Sequence, residues 1–391
     1  MRASLCTITA VATAAAVLVG CGVDTSTSGG EASGDDSGPI VLGSHVPLTG
    51  PLAAGGTQLK AGAEAYFQYV NDQGGVNGRM IEYKALNDDY NPQNALANVR
   101  RLVERDSAIG IVSTLGTATG LAVLPYLESR NVAYVGALSG DSRLLGVDAE
   151  SPAFGIAPTG VEMGGSLGRH AVEELGGKRV AIFYQNDAYG TDGRDGLRQG
   201  VEEAGGEIVG EAPYELSQTD FTSQIRELQS ARPDVVALYA LPTTAAAFLK
   251  QAKGRGFDAT FTADNPMTDP IMVGLAGNAL EGLNCNFFTA VNGETSPEVR
   301  EKAEILAKYA PDVDGGYYSF QGMAGAIVAV EALETIEGEV TSASFVEALE
   351  GVSVDPAVTA PIEYGPDDHQ GGGEFGFAVW RNGRIKVLED Y

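Results

Sequence analysis

Basic residues are scarce in this chain: 25 Lys and Arg stand against 52 Asp and Glu in 391 residues, a formal charge of −27 at pH 7. A phosphate backbone is held by a net basic stripe, so nucleic acid is excluded as a partner. Cysteine is scarcer still, at three residues: Cys6, Cys21 and Cys285. That rules out a small disulfide-stapled module. Only three histidines occur, His45, His170 and His369, and they are scattered along the chain. Zinc and Ser-His-Asp chemistry therefore lack support. Neither a Gly-x-Gly-x-x-Gly fingerprint at the first helix nor a Walker lysine motif is present, so the sequence implies no nucleotide cofactor and no metal. Hydrophobic runs long enough to cross a membrane are missing too: the longest, residues 5–19, is short and interrupted by threonine.

What the first residues do contain reads as a secretory signal. Residues 1–20 hold no acid and a single base, Arg2, ahead of the apolar run, which closes in small residues. The run ends Leu18-Val19-Gly20-Cys21 and there resembles the bacterial lipoprotein signal, which implies that Cys21 is lipidated and becomes the new N-terminus. With Cys6 lost and Cys21 acylated, only Cys285 remains, so no disulfide is expected inside the folded part and Cys285 reads as a small buried hydrophobe. Residues 22–38 are Gly, Ser, Thr, Asp or Glu at fifteen of seventeen positions. Such a segment buries too little apolar surface to fold and reads as a tether, spanning on the order of 20 to 25 Å on average. The expectation is a soluble, non-catalytic body held outside the cell through a lipid anchor.

From residue 39 onward, β-rich runs alternate with helical patterns. Residues 40–42 read as a strand, and Leu59, Ala63, Tyr66, Phe67 and Val70 share one helix face. A strand over residues 80–86 precedes Asn91-Pro92, an N-cap and first-turn proline for a helix that turns Ala95, Leu96, Val99, Leu102 and Val103 inward. A second series starts near Thr159, with strands over 179–184, 235–239, 259–263 and 283–288. Repeated strand-helix-strand units predict parallel sheets covered on both faces. Beyond Phe288 the pattern is helical over 297–309, 321–336 and 344–349 and closes in short strands. The predicted class is α/β, with two doubly wound, Rossmann-like lobes: residues 39–158 with 289–361, and residues 159–288 with 362–391.

Ligands of doubly wound sheets lie beyond the carboxyl ends of the strands. The loops there are polar and glycine-rich: Pro47-Leu48-Thr49-Gly50, Leu115-Gly116-Thr117-Ala118-Thr119, Leu138-Ser139-Gly140-Asp141, Asn186-Asp187-Ala188-Tyr189-Gly190 and Ala263-Asp264-Asn265. Hydroxyls and free amides at a helix N-terminus make an anion site without a cationic side chain, and a small carboxylate is the natural guest. His45 reads as a structural residue on the first strand, Asp367-Asp368-His369 as a solvated turn, and the lone Trp380 as a core residue, which disfavours a sugar.

Taken together, these motifs resemble the solute-binding proteins of branched-chain amino acid ABC transporters, the leucine/isoleucine/valine-binding type with a type I periplasmic-binding-protein fold. The resemblance runs from Ile40 to about Val387 and is carried by Pro47-Leu48-Thr49-Gly50-Pro51, by Asn71-Asp72-Gln73-Gly74-Gly75-Val76-Asn77-Gly78, by Asp88-Asp89 followed by Pro92 and Ala95, and by Asp187-Ala188-Tyr189-Gly190. It implies two lobes joined by a three-segment hinge, closing on an amino acid and delivering it to the permease subunits of a membrane transporter. By position it implies that Thr117, with Ser139 and Gly140, binds the ligand carboxylate and that Tyr189 covers the ligand. It puts Asp264, or alternatively Asn265, at the ammonium group.

The chain departs from that pattern in three places. Gly55 stands where an aromatic residue is common, Leu241-Pro242 stands at a second aromatic position, and Tyr90 and Gly116 occupy the positions of a disulfide found in some relatives. Loss of two aromatic walls predicts a roomier pocket. The alternatives are a sensor, a binding protein for an amide, a urea or an aromatic acid, and a secreted α/β hydrolase, for which no nucleophile elbow is found.

Overall fold

The alternating pattern builds two sheets, each with its own helices. The structure, a computed structural model, describes residues 38–291, 296–373 and 375–388; the expected signal, Cys21 and the tether as far as residue 37 lie outside the described residues. The first lobe runs β1 (Ile40–Val46), α1 (Ala53–Asp72), β2 (Ile81–Asn87), α2 (Pro92–Glu104), β3 (Gly110–Leu115), α3 (Thr117–Arg130), β4 (Ala133–Leu138) and β5 (Ala153–Ile156). The second runs α4 (Gly160–Glu173), β6 (Arg179–Gln185), α5 (Ala188–Glu203), β7 (Glu207–Tyr214), α6 (Thr222–Ala231), β8 (Val235–Tyr239), α7 (Pro242–Gly254), β9 (Thr260–Ala263), α8 (Ile271–Ala276) and β10 (Asn284–Phe287). The chain then forms α9 (Pro297–Tyr309), α10 (Tyr317–Thr335), α11 (Ser342–Leu349), β11 (Ser353–Val354), β12 (Ile362–Glu363), β13 (Gln370–Gly371), β14 (Gly376–Arg381) and β15 (Arg384–Val387).

Helix starts follow their capping chemistry. The Asn91 side chain accepts from the amides of Gln93 and Asn94 ahead of Pro92, and Thr159 and Glu162 form a reciprocal capping box at α4. β3, β4 and β8 are buried at every residue because helices cover both faces of a parallel sheet.

The first sheet is ordered β13-β5-β4-β3-β1-β2 and the second β15-β14-β10-β9-β8-β6-β7. Within these two sheets all pairs are parallel except β10 with β14 and β14 with β15, and β11 and β12 form a separate antiparallel pair. In each sheet the strand order reverses beside the first strand, between β1 and β3 and between β6 and β8. Those reversals open crevices at the carboxyl ends of the strands. α10 returns to the first lobe, where Ala324, Val328 and Leu333 share a core with Leu42, Val112 and Val135.

Two sequence expectations need correction. The segment from residue 362 divides between the lobes: β12 contributes Ile362 to the first core, β13 pairs with β5, and only β14 and β15 extend the second sheet. His369 is no solvated turn. It is buried, stacked on Phe154 at 4.1 Å, because β13 draws it against β5.

His45 is buried between Asp88 (Nδ1 to Oδ2, 2.8 Å) and the Tyr134 hydroxyl (3.0 Å), a structural network under the first-lobe loops. Trp380 and Cys285 lie in the second core, with Trp380 Nε1 donating to Met267 O at 2.8 Å.

Candidate functional site

The two sheets present their carboxyl ends to a single cavity. The first lobe lines it with Leu52, Tyr90, Thr117 and Ser139, and the start of α10 adds Tyr317 and Tyr318. The second lobe contributes Met163, Tyr189, Tyr239, Leu241 and Asn265. The cavity is partly open at its mouth and walled mostly by apolar and aromatic side chains with a few polar groups, which suits a small molecule rather than a polymer.

On the first-lobe side the cradle grows from backbone geometry. Gly116 precedes α3 with φ of 125°, a conformation L residues avoid, and a Cβ there would meet the Tyr90 ring at 2.5 Å. Thr117 then opens the helix, where amides are free to donate. Its Oγ1 receives the Ser139 hydroxyl at 3.0 Å and the Gly140 amide at 3.4 Å, and the Asp141 amide donates to Ser139 Oγ at 3.1 Å. Two hydroxyls and a helix N-terminus thus converge without a cation, an arrangement able to bind an anion.

On the second-lobe side Tyr189, in the first turn of α5, donates its hydroxyl to Asp264 Oδ2. Asp264 directly follows β9 and is buried, and the other carboxylate oxygen has no partner among the described residues. Burial pushes its carboxyl up to about 7, against the lowering effect of the Tyr189 hydrogen bond. Asp264 itself does not line the cavity; Tyr189 stands in front of it, and Asn265 reaches the wall. The structure therefore brings Thr117, Ser139, Gly140 and Tyr189 to one cavity, with Asp264 one shell behind.

The lobes also touch across the seam. The Tyr90 hydroxyl donates to Asp187 Oδ2 at 3.4 Å, the Gly160 amide to Gly140 O at 2.7 Å, and the Tyr318 amide to Asp269 Oδ2 at 3.2 Å.

The departures read from the sequence resolve differently from expectation. A Cβ on Gly55 would lie 2.8 Å from the Tyr318 ring, so α10 fills the space that a missing aromatic would vacate. At the second position Leu241 lines the cavity next to Tyr239. The expected enlargement is thus taken up by tyrosines. Tyr90 and Gly116 are in contact, the ring packing against the glycine.

Sequence reasoning missed Tyr239, Met163, Tyr317 and Tyr318 as wall residues. Tyr239 carried a usable signal as the last residue of a strand beside the order reversal. The α10 tyrosines carried none, since that helix lies late in the chain. Among the described residues no group of three or more His, Cys, Asp or Glu is placed to hold a metal.

Comparison with known proteins agrees with this geometry. The family described as periplasmic binding protein matches residues 39–384. The chain is 26% identical over 339 residues to Leu/Ile/Val-binding protein homolog 7 of Brucella abortus, covering 83% of this chain and 84% of that one. A substrate-binding periplasmic protein from Ralstonia solanacearum superposes with a TM-score of 0.81 at 25% identity, over 89% of this chain and 100% of that chain. A branched chain amino acid ABC transporter protein from Thermus thermophilus with bound valine superposes with a TM-score of 0.82 at 20% identity, over 90% and 96%. With two doubly wound lobes, a cavity at their facing carboxyl ends and a family match across nearly the whole body, the chain belongs to the periplasmic binding protein family, solute-binding proteins of the type I fold.

Proposed function

We propose that this protein is an extracytoplasmic receptor for a small carboxylate-bearing solute, an amino acid of the branched-chain or related class, which it carries between two closing lobes to an ABC transporter permease. Lipid attachment at Cys21 would hold it at the outer face of the cytoplasmic membrane or in the periplasm. The observation that carries the reading is the pairing of opposite chemistries across one cavity: hydroxyls and a helix N-terminus at Thr117, Ser139 and Gly140 on one side, Tyr189 backed by Asp264 on the other. The first suits a carboxylate. In the second, Tyr189 gives its proton to Asp264 and turns its oxygen lone pairs to an ammonium donor, so Asp264 acts as a positioning residue through Tyr189. A solute held from both sides favours the closed arrangement by its differential affinity for it.

A thermal-shift screen of amino acids, amides, ureas and aromatic acids tests the reading, because a ligand of the folded state alone raises Tm. Branched-chain amino acids are expected to give the largest shifts, and Asp264→Ala is expected to abolish them. Unchanged calorimetric binding in that variant would remove Asp264 from the site.

A second reading, an aromatic acid or an amide lacking an ammonium group, is favoured by one observation: Asn265 and not Asp264 reaches the wall. It is selected if benzoate or an amide outranks every amino acid in the screen.

A further inference from the structure

Tyr239 ends β8, lines the cavity and is fully buried, yet its hydroxyl has no hydrogen-bond partner among the described residues. An orphaned buried hydroxyl is destabilising, so a group of this kind needs an occupant to explain it. The ring is fixed in place. A Cβ on Gly193 would lie 2.3 Å from three ring carbons, so α5 presents bare backbone to it, and Tyr189 packs beside it with ring centroids 4.8 Å apart. Across the seam stands Gly140 of the first lobe: a Cβ built there would lie 3.9 Å from the Tyr239 hydroxyl. Gly140 is also the residue whose amide donates to Thr117 Oγ1. The orphan hydroxyl therefore adjoins the first-lobe cradle while belonging to the opposite lobe.

We infer that Tyr239 is a specificity-determining residue whose hydroxyl donates to the carboxylate of the bound solute, so that one anion is gripped from both lobes. The inference rests on the proposed carboxylate cradle and goes beyond it by joining anion recognition to closure: the β8 hydroxyl reaches the cradle only when the lobes are together. A neutral amide is a weaker acceptor than a carboxylate and brings an N–H that the phenol proton opposes. The class selected is thus a carboxylate over its own amide. Burial keeps the phenol protonated and a donor, holding its pKa well above the usual tyrosine value.

The test titrates the full chain as wild type, Tyr239→Phe and Thr117→Ala by calorimetry with L-leucine, L-valine and benzoate, each beside its primary amide. Tyr239→Phe is expected to weaken the best carboxylate roughly ten- to a hundred-fold and its amide less than about three-fold. Its ligand-free Tm should stay level or rise, since an unpaired polar atom is removed. Unchanged carboxylate affinity in Tyr239→Phe overturns the inference, and a loss in Thr117→Ala in the same series leaves the cradle standing. Equal losses for acid and amide, with a lowered ligand-free Tm, assign Tyr239 to packing and overturn the inference as well. Absence of any carboxylate binding by the wild type overturns the inference and the cradle together.

Discussion

Asp264 shows how one residue can tie the site to stability. Burial penalises the anion and pushes its carboxyl up to about 7 from an ordinary value of 3.8. The folded state therefore holds this proton more tightly than the unfolded chain does. Below about pH 4 both states are protonated and the group is silent. Between about pH 4 and 7 the unfolded chain alone ionises, so stability falls as pH rises, by about 1.4 kcal/mol for each unit of displacement, and above 7 the loss is complete. Thermal melts should thus give a higher Tm at pH 5 than at pH 8. Asp264→Asn, which keeps the shape and cannot ionise, should flatten part of that slope. An identical slope in the variant would show that other groups, Asp269 and Asp192 among them, carry the dependence, since burial pushes both of those up to about 6. Ligand binding has the opposite sign. An ammonium group delivered to the Tyr189–Asp264 pair favours the ionised acid, so affinity for an amino acid should rise with pH through 7 and binding should release protons. Calorimetry in buffers of different ionisation enthalpy measures that release directly.

At the scale of elements, α4 and α5 set where the second-lobe residues stand, and they do so by backbone contact. A Cβ on Gly200 would fall 2.1 Å from Gly165 O, and one on Gly164 would fall 2.2 Å from Gly193 O, so the two helices touch through glycines. Gly200→Ala must push them apart and is expected to cost about 1–3 kcal/mol, a Tm drop of several degrees. Gly254→Ala at the end of α7 meets nothing within 4 Å and should be neutral or mildly stabilising, since alanine favours helix. A Gly200→Ala melt matching that control would show that the helices separate freely. The same elements illustrate what sequence could reveal. α2 was legible because Asn91-Pro92 caps a helix whose Ala95, Val99 and Leu102 recur at helical spacing and are buried. β7 was not, because it is an edge strand of half-exposed residues that ends in Pro213-Tyr214 and shows no clean alternation. β5 and β13, of four and two residues, escaped as well. α10 was read as starting at Gln321, one turn late, since nearly every residue from Tyr317 to Leu333 is buried and the helix has no polar face to mark its start. That lost turn carries Tyr317 and Tyr318 into the cavity. The loops at Thr117, Ser139 and Tyr189 were legible because polar and glycine residues there interrupt apolar strands, whereas residues supplied by a buried helix have no such contrast.

At the scale of the whole molecule, closure itself is coupled to a buried acid. Asp269 belongs to the second lobe, yet its carboxylate accepts from the Tyr318 amide at the start of α10 and from the Gln58 side chain, both in the first lobe, as well as from the Ile271 amide of its own lobe. It is completely buried, and burial, aided by the charge of Asp314, pushes its carboxyl up to about 6 in spite of those hydrogen bonds. Parting the lobes removes Tyr318 and Gln58 and admits water, which returns the group toward its ordinary value of 3.8. The closed form therefore binds the proton more tightly than the open form. Protonation favours closure, and the closed population of ligand-free protein should fall as pH rises from about 4 to 6 and level off above that. Small-angle scattering of the ligand-free protein should show the radius of gyration growing over that interval, with Asp269→Asn holding it constant because the amide keeps an acceptor for Tyr318 and loses the charge. Saturating ligand should erase the difference between the two proteins by fixing both in the closed form. A radius that grows equally in wild type and variant would place the titrating group elsewhere on the seam, at Asp192 on α5, which burial and then the charge of Asp141 push up to about 6.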